Sequence, residues 1–384
     1  MIYIRTGSQA LFILTLLAVT GEYPTASLRL LGNERAVKAL VHKMTTMQTY
    51  RLPQTETEIT GKLLQISGRG SEKTVRLCKR TALPILTRLG AESYYQNAYL
   101  SHHASGGTAH RERNHRVAEA VAMCMRAGLE IRPYFLPSLQ NREILHIVPD
   151  APSFYLAKSL KQVGGIEQNK TMFTRMVGAV FTPGAVYAVY NTRGAVMKWN
   201  GMGEFKALQN LIEIGRLNAG NVKTDAAILF GQSDEIALGT LIESDKSRRM
   251  EFRFDSIYRH VHFVPMNDFG VKLLRLLSLP DWNEKILSLL FDSSDRSYNR
   301  GVFEYDAYIN GRFIYSHLGS DLARLIRFRE AQRFHENKPC EVLCFPEQAP
   351  FLRKYLGADV ALKTITMDLI EAELCPERRN EFAE

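Results

Sequence analysis

Residues 33–45 decide how the first part of this chain folds, and they read Asn-Glu-Arg-Ala-Val-Lys-Ala-Leu-Val-His-Lys-Met-Thr. Asn33 is a good N-cap, and the apolar residues after it recur at the three- and four-residue spacing of an α-helix. These residues form one stripe that faces a core: Val37, Leu40, Val41 and Met44. The opposite side of the helix is cationic and carries Arg35, Lys38, His42 and Lys43. The stretch therefore predicts an amphipathic helix with a basic outer surface.

Two more helices are predicted before this one. The apolar run Ala10–Val19 follows an N-cap serine and ends before Gly21, which is a good helix stop. The run imitates a signal peptide, but the positive region before it is thin and no clean cleavage site follows. We expect it to be the first helix of a small domain. A short helix from Ala26 to Leu31 is predicted next.

A β-hairpin is predicted after the helices. Leu63–Ile66 and Thr74–Leu77 are typical of strands, and the Gly-rich basic turn Ser67–Lys73 joins them. Helices joined by a glycine-containing turn and followed by a hairpin indicate a winged helix-turn-helix, here residues 1–100, closed by a helix at Thr81–Leu89. The helix at 33–45, the second of the helix-turn-helix pair, would enter the major groove. The hairpin turn, called the wing in such domains, would reach phosphate. The predicted DNA-binding residues are Asn33, Arg35, Lys38, His42, Lys43, Arg69, Ser71 and Lys73. A solvated basic face, or a winged helix that contacts protein, is the alternative.

Composition places the chain among globular proteins that suit a polyanionic partner. Its 384 residues leave room for two or three domains, and 45% apolar against 23% charged residues allow a sizeable core. No apolar run reaches the roughly 18 residues of a transmembrane helix. Five scattered cysteines predict a reducing compartment, the cytoplasm, rather than a disulfide framework. Lys and Arg outnumber Asp and Glu by 49 to 40, an excess that suits a polyanionic partner. Together with the winged-helix pattern it makes double-stranded DNA the expected partner.

Residues 101–170 are predicted to be a helical and irregular linker. Residues 101–114 are polar and Gly-rich, a helix follows from His115 to Gly128, and residues 129–170 contain several prolines. The histidines of this region invite a metal site, but no Cys or carboxylate stands at ligand spacing. They are His102, His103, His110 and His115. We interpret them as solvated or phosphate-contacting and predict no metal there.

Residues 171–384 are predicted to be an α/β domain with the layout of a restriction-endonuclease-like core. A hairpin over Ala185–Tyr190 and Ala195–Trp199 precedes a helix from Glu204. Strands are predicted at Asp225–Phe230, Ile236–Ile242 and His260–Pro265, with a helix at Val271–Leu277. The sequence near Gly301–Gly311 and Glu341–Pro346 weakly repeats the earlier pattern of hairpin, helix and strand. This internal repeat indicates a further αβ unit, which is either a duplicated half or part of the same sheet. The whole fold is thus predicted to be α+β.

Carboxylates at the predicted strand ends form a candidate catalytic site, Asp225, Glu243 and Asp245. In active enzymes of this layout two carboxylates hold Mg²⁺ and a lysine activates water, in the pattern Pro-Asp…Asp/Glu-x-Lys. Here Thr224 stands in place of Pro, and Asp245 stands where Lys is expected. We therefore predict a degenerate core without a cofactor. The alternatives are a Mg²⁺-dependent endonuclease with the metal at Asp225 and Glu243, and acids that only cap strands.

Short motifs of the chain resemble the replication-relaxation family of plasmids and integrative conjugative elements. They are Gly68-Arg-Gly70 in the wing, Asn114–Glu119, Thr224-Asp225, and Leu241–Asp245. The resemblance implies a winged helix joined to a nuclease-like part, and a role in replication or mobilisation beside a relaxase. A homodimer would add specificity, because one winged helix reads few base pairs. A transcriptional regulator is the remaining alternative.

Overall fold

The computed structural model describes residues 1–100, 108–131, 152–161, 175–199, 201–219, 223–247, 253–297, 304–334 and 338–374. These residues form a mixed α+β fold with several small sheets. The chain divides into two compact units, Met1–Phe135 and Leu136–Glu384. Within the described ranges, every helix is too short or too polar to cross a membrane.

The first unit consists of helices and two three-stranded sheets. Its elements are β1 (Ile2–Tyr3), α1 (Gln9–Thr20), β2 (Glu22–Pro24), a 3-10 helix (Thr25–Leu31), α2 (Glu34–Met44), β3 (Gln48–Leu52), β4 (Thr57–Gly61), β5 (Leu64–Ser67), β6 (Thr74–Leu77), α3 (Lys79–Arg88), α4 (Glu92–Leu100), α5 (Thr108–Arg126) and β7 (Glu130–Ile131). The sheets have the strand orders β1-β3-β4 and β2-β6-β5. The predicted helices at 10–19 and 33–45 and the predicted hairpin at 63–77 are confirmed as elements. The short helix predicted at 26–31 is a 3-10 helix.

Helix α1 is a core element of the first unit. Ser8 caps it, because the Ser8 hydroxyl accepts a hydrogen bond from the backbone N–H of Leu11, and Gly21 ends it at a φ of +80°. Side chains around most of its circumference are buried, including Ile13, Leu14 and Leu17. A helix that is apolar on all sides must be enclosed by protein. The apolar run therefore packs inside this unit.

Two features of the first unit differ from the sequence prediction. Strands β3 and β4 form an antiparallel hairpin, and β1 pairs with β3 in parallel, although residues 45–62 carried no strand prediction. Residues 108–114, predicted as linker, are the first turns of α5. This helix contacts α1, β2 and the 3-10 helix, so it belongs to the packed unit. Residues 101–107 lie outside the described residues.

The second unit has two sheets whose strands alternate with helices. Its elements are β8 (Ser153–Leu156), α6 (Ala157–Lys161), β9 (Met176–Phe181), β10 (Ala185–Asn191), α7 (Met202–Ala219), β11 (Lys223–Gly231), α8 (Asp234–Lys246), α9 (Phe254–Ile257), β12 (His260–Pro265), α10 (Asp268–Leu277), α11 (Trp282–Leu290), β13 (Ala307–Ile309), β14 (Arg312–Ser316), α12 (Leu322–Phe334), β15 (Cys340–Cys344), α13 (Ala349–Leu356), β16 (Ala361–Thr364) and α14 (Met367–Leu374). One sheet runs β12-β11-β10-β9-β8 and the other β13-β14-β15-β16. Of residues 129–170, predicted as irregular, 153–156 thus form a strand.

Two strand predictions in this unit are wrong. The partner of β10 in an antiparallel pair is β9, which precedes it, so residues 195–199 are not the second arm of a hairpin. Residues 236–242 lie in helix α8 rather than in a strand. The pairing explains the second error, because β11 and β12 are parallel neighbours and parallel strands need a crossover between them. Helix α8 provides that crossover.

The weak internal repeat of the sequence corresponds to two similar but separate sheets. Each begins with an antiparallel pair, β9–β10 or β13–β14, and continues with two parallel strands. Helices α7 and α8 make the crossovers in the first set, and α12 and α13 make them in the second. The apolar faces of both sets join one core that includes Tyr190, Leu229, Phe263, Phe328 and Val342. Of the two alternatives, the observed pairing favours repeated αβ halves with a sheet each.

Candidate functional site

Helix α2 presents the predicted basic surface to solvent. Asn33 caps it, with Oδ1 accepting a hydrogen bond of 3.1 Å from the N–H of Ala36. Val37, Val41 and Met44 are buried, and Leu40 is half-buried. The residues predicted to bind DNA are all exposed on the other side: Asn33, Arg35, Lys38, His42 and Lys43. The predicted division of this helix into a buried and an exposed face is confirmed, and only the exposed face can meet a partner.

The turn between β5 and β6, residues 68–73, which we call the wing, lies beside α2. A groove of about 430 Å³ separates the two elements. Its lining includes Lys38 and His42 from α2, Gly70 and Lys73 from the wing, and the 46% exposed Ile66 from β5. Two parts of the sequence that were predicted separately thus contribute cations to one surface. Arg69 is exposed on the same turn, and Ser71 lies in its 3-10 helical segment.

Glu34 reduces the positive charge of this surface. Its carboxylate Oε1 lies 2.5 Å from Nζ of Lys38, one helical turn away, and both side chains are about half exposed. The hydrogen bond from Lys38, followed by the charge of that ammonium, lowers the pKa of Glu34. A solvent-exposed pair of this kind is worth little for stability. Lys38 can therefore exchange its carboxylate for a phosphate at small cost.

Backbone geometry restricts which residues can form the wing. Gly68 has a φ of +91°, and a Cβ added there would lie 2.6 Å from the carbonyl oxygen of Glu72. Gly70 has a φ of +55°, and nothing lies within 4 Å of an added Cβ. Both positions favour glycine, but only Gly68 also excludes a side chain by contact with backbone.

Replacing Gly68 with alanine should distort the wing. The clash and the left-handed backbone together should lower the free energy of unfolding of the first unit by about 2–3 kcal/mol, whereas Gly70→Ala should cost about 1 kcal/mol. Chemical denaturation of both variants, followed by far-ultraviolet circular dichroism, measures the difference. Equal losses in the two variants would contradict the assigned turn geometry.

Buried polar contacts hold helix α5 against the elements that flank α2. The hydroxyl of Ser27, on the 3-10 helix, donates a 2.5 Å hydrogen bond to Oε1 of Glu119, which has no exposed surface. Arg76 at the base of the wing donates two hydrogen bonds to the buried Glu22. His115 lies 3.9 Å from Glu22 and is also buried. The prediction of a solvated or phosphate-contacting His115 is therefore wrong, because the helix faces the core at this residue.

The three acidic residues predicted as catalytic lie on different kinds of elements. Asp225 is half-buried near the start of β11, and its backbone oxygen accepts a hydrogen bond from Arg259. Glu243 is exposed on α8. Asp245, on the same helix, forms an ion pair of 2.5 Å with Arg329 and accepts a 3.3 Å hydrogen bond from the hydroxyl of Tyr355. These contacts connect α8 to α12 and α13, which is a packing role for Asp245.

Geometry does not group these acids into a metal centre. Across the described ranges, no set of three or more His, Cys, Asp or Glu side chains has the geometry to hold a metal ion. The expectation that Glu243 and Asp245 follow a strand fails because residues 236–242 are helical. His102 and His103 lie outside the described residues.

A charged cluster in the second unit was not predicted from the sequence. Asp321 is buried before α12; its Oδ1 accepts hydrogen bonds from the N–H groups of Val261, Ala323 and Arg324, and its Oδ2 lies 2.6 Å from Nδ1 of His260. Arg324 forms ion pairs with Glu304 and Asp306. We call Asp321, His260, Arg324, Glu304 and Asp306, together with the two histidines described next, the Asp321 cluster. The cluster joins β12, an edge strand of the first sheet of this unit, to α12, the helix that connects β14 and β15 of the second sheet.

Two buried histidines complete the Asp321 cluster. His262 donates a 2.7 Å hydrogen bond from Nδ1 to the carbonyl oxygen of Gly319, and burial lowers its pKa. His317 has no exposed surface, and burial lowers its pKa to about 3. Burial alone would raise the pKa of Asp321, but its hydrogen bond from His260 and the neighbouring positive charges hold that pKa below its usual range. His-x-His at 260–262 was the only sequence signal; Asp321 is too distant in the chain to be associated with it.

Comparison with protein-family models, with curated proteins and with solved structures finds no match to this chain. The surface formed by α2 and the wing is the candidate nucleic-acid interface, and the Asp321 cluster is a buried structural element.

Proposed function

We propose that the first unit is a winged helix that binds double-stranded DNA, with α2 as the recognition helix and residues 68–73 as the wing. The element order helix, strand, helix, helix, hairpin supports this, and so does the sheet order β2-β6-β5, in which the first strand pairs with the last. The hairpin β3–β4 is then an insertion between the recognition helix and the winged sheet.

One observation carries the proposal. Lys38 and His42 of α2 and Lys73 of the wing line a common groove, while the apolar face of the same helix is buried. DNA presents phosphates beside a major groove that admits an α-helix, so a cationic helix flanked by a cationic turn matches it in charge and shape. Ile66 at the groove could contact sugar or a thymine methyl group. If the basic face of α2 were only solvated, nothing would require the wing to place another cation beside it.

Alanine substitutions on α2 should weaken DNA binding through lost phosphate contacts. We expect Arg35→Ala and Lys38→Ala each to reduce affinity for a labelled duplex roughly tenfold at about 0.1 M salt and to lower the slope of log K against log salt by about one. Glu34→Gln should act in the opposite direction, because it removes a carboxylate from the surface and releases Lys38. Fluorescence anisotropy over a salt series measures all three. Unchanged affinity in both alanine variants would exclude α2 as the contact.

The biological role follows from the resemblance to replication-relaxation proteins, and we propose recognition of an origin on a plasmid or conjugative element, beside a relaxase. A footprint over an origin of transfer would support it, whereas a footprint confined to a promoter would select the transcriptional regulator.

A further inference from the structure

The wing has a second basic neighbour besides α2. Arg111, in the first turns of α5, donates a 3.2 Å hydrogen bond from its guanidinium to Oε2 of Glu72 on the wing. On the other side of the wing, Thr25 donates a hydrogen bond to the carbonyl oxygen of Lys73. The start of α5 is therefore attached to the wing itself.

The polar contacts of α5 fix this arrangement along the helix. Arg111, His115 and Glu119 follow one another at four-residue spacing and face Glu72, Glu22 and Ser27 in turn. A helix held at three successive turns, with two of the contacts buried, has little freedom to move away from the wing. The start of the helix is therefore held beside the wing.

The start of α5 is positively charged, like the proposed interface. His110 and Arg113 are exposed, Arg111 is partly exposed, and residues 110–116 carry three arginines against one glutamate, Glu112. That glutamate pairs with Arg116 one turn later, at 3.0 Å. Arg111 in turn neutralises Glu72, the acidic residue that would otherwise repel a phosphate at the wing.

From these positions we infer that the first two turns of α5 form a second row of DNA-backbone contacts flanking the wing. Arg113 and His110 contact phosphates there, and Arg111 cancels the charge of Glu72. The inference rests on the proposed function of the first unit and extends it. The bound DNA then contacts three elements in order: α2, the wing and the start of α5.

A pair of charge-matched double variants of the full chain tests the inference. Arg111→Ala/Arg113→Ala removes two positive charges beside the wing. Lys79→Ala/Arg80→Ala removes two exposed positive charges from the start of α3, at the opposite end of β6 from the wing. We expect the first variant to lower the salt slope of binding to a mixed-sequence labelled duplex by about one, because Arg113 is the residue of this pair that contacts phosphate, and the affinity by roughly tenfold or more. The second should leave the slope unchanged.

The possible outcomes separate the inference from the proposed function. If Lys38→Ala weakens binding but both double variants behave alike, α5 does not touch DNA, and α2 remains the interface. If the wild-type protein shows no salt-dependent binding to any duplex, the proposed function and the inference both fail. Arg111→Ala should also cost less affinity in a Glu72→Gln background, because its partner charge is then gone. An equal cost in both backgrounds would contradict the neutralising role of Arg111.

Discussion

Asp321→Ala is expected to lower the free energy of unfolding of the second unit by about 3–5 kcal/mol. The Asp321 carboxylate is buried and accepts hydrogen bonds from three backbone N–H groups, two of them at the start of α12, besides its contact with His260. Alanine removes the cap of α12 and leaves the N–H of Val261 and the ring of His260 without that acceptor. Loss of one partner from a buried charged cluster is costly, because the remaining groups keep their desolvation penalty.

Tryptophan fluorescence during urea denaturation measures this loss selectively. The chain has two tryptophans, Trp199 and Trp282, and both lie in the second unit. Asp321→Asn is the matched control; it retains a carbonyl oxygen that can accept from the backbone, and we expect a smaller loss of about 1–3 kcal/mol. An alanine variant within 1 kcal/mol of the wild-type protein would show that the carboxylate does not hold β12 to α12.

The second unit should also lose stability steeply on acidification. Burial keeps His317 neutral in the folded state down to a pH of about 3, whereas the same side chain in the unfolded chain takes up a proton near pH 6.5. Between these values the unfolded state binds more protons, so the free energy of unfolding falls as the pH falls. The loss from this residue is about 1.4 kcal/mol for each pH unit. His262, whose pKa is also lowered, adds a loss of the same sign.

His317→Phe isolates the contribution of one histidine. Phenylalanine keeps an aromatic ring against Phe351, whose ring centre lies 5.8 Å from that of His317, and it cannot be protonated. The variant should approach the wild-type stability at neutral pH and exceed it increasingly from pH 6.5 towards 3. Acidic groups such as Asp321 are present in both proteins, so their effects cancel in the comparison. Parallel pH dependences in the two proteins would contradict the assignment.

Local pattern was sufficient to predict the candidate interface. The stripe of Val37, Val41 and Met44 has helical spacing, and Asn33 and the glycine-rich turn at 68–70 have strong local preferences. Each of these signals lies within about ten residues, where backbone sterics and side-chain spacing act without help from the rest of the chain. The exposed cations follow, because they occupy the remaining face of the same helix.

The secondary-structure predictions were wrong where pairing between residues distant in the chain determines the structure. The apolar run at 236–242 suits a buried strand or a buried helix equally, and pairing of β11 with β12 makes it a helix. The alternating pattern and the polar turn at 191–194 favour a hairpin of 185–190 with 195–199, but the antiparallel neighbour of β10 is β9. The candidate catalytic set depended on the first of these assignments, so Glu243 and Asp245 were placed at a strand end where neither lies.

The chain by itself determined which residues of α2 face inward, where its helix begins, and which turn carries the glycines of the wing, because these depend on spacing and backbone conformation over a few residues. Only the tertiary structure decided that Lys38 and His42 of α2 share a groove with Lys73 of the wing, and that Arg111 at the start of α5 pairs with Glu72. It also decided that His260 meets Asp321. Such contacts join residues that are tens of positions apart, and their formation depends on how whole sheets and helices pack.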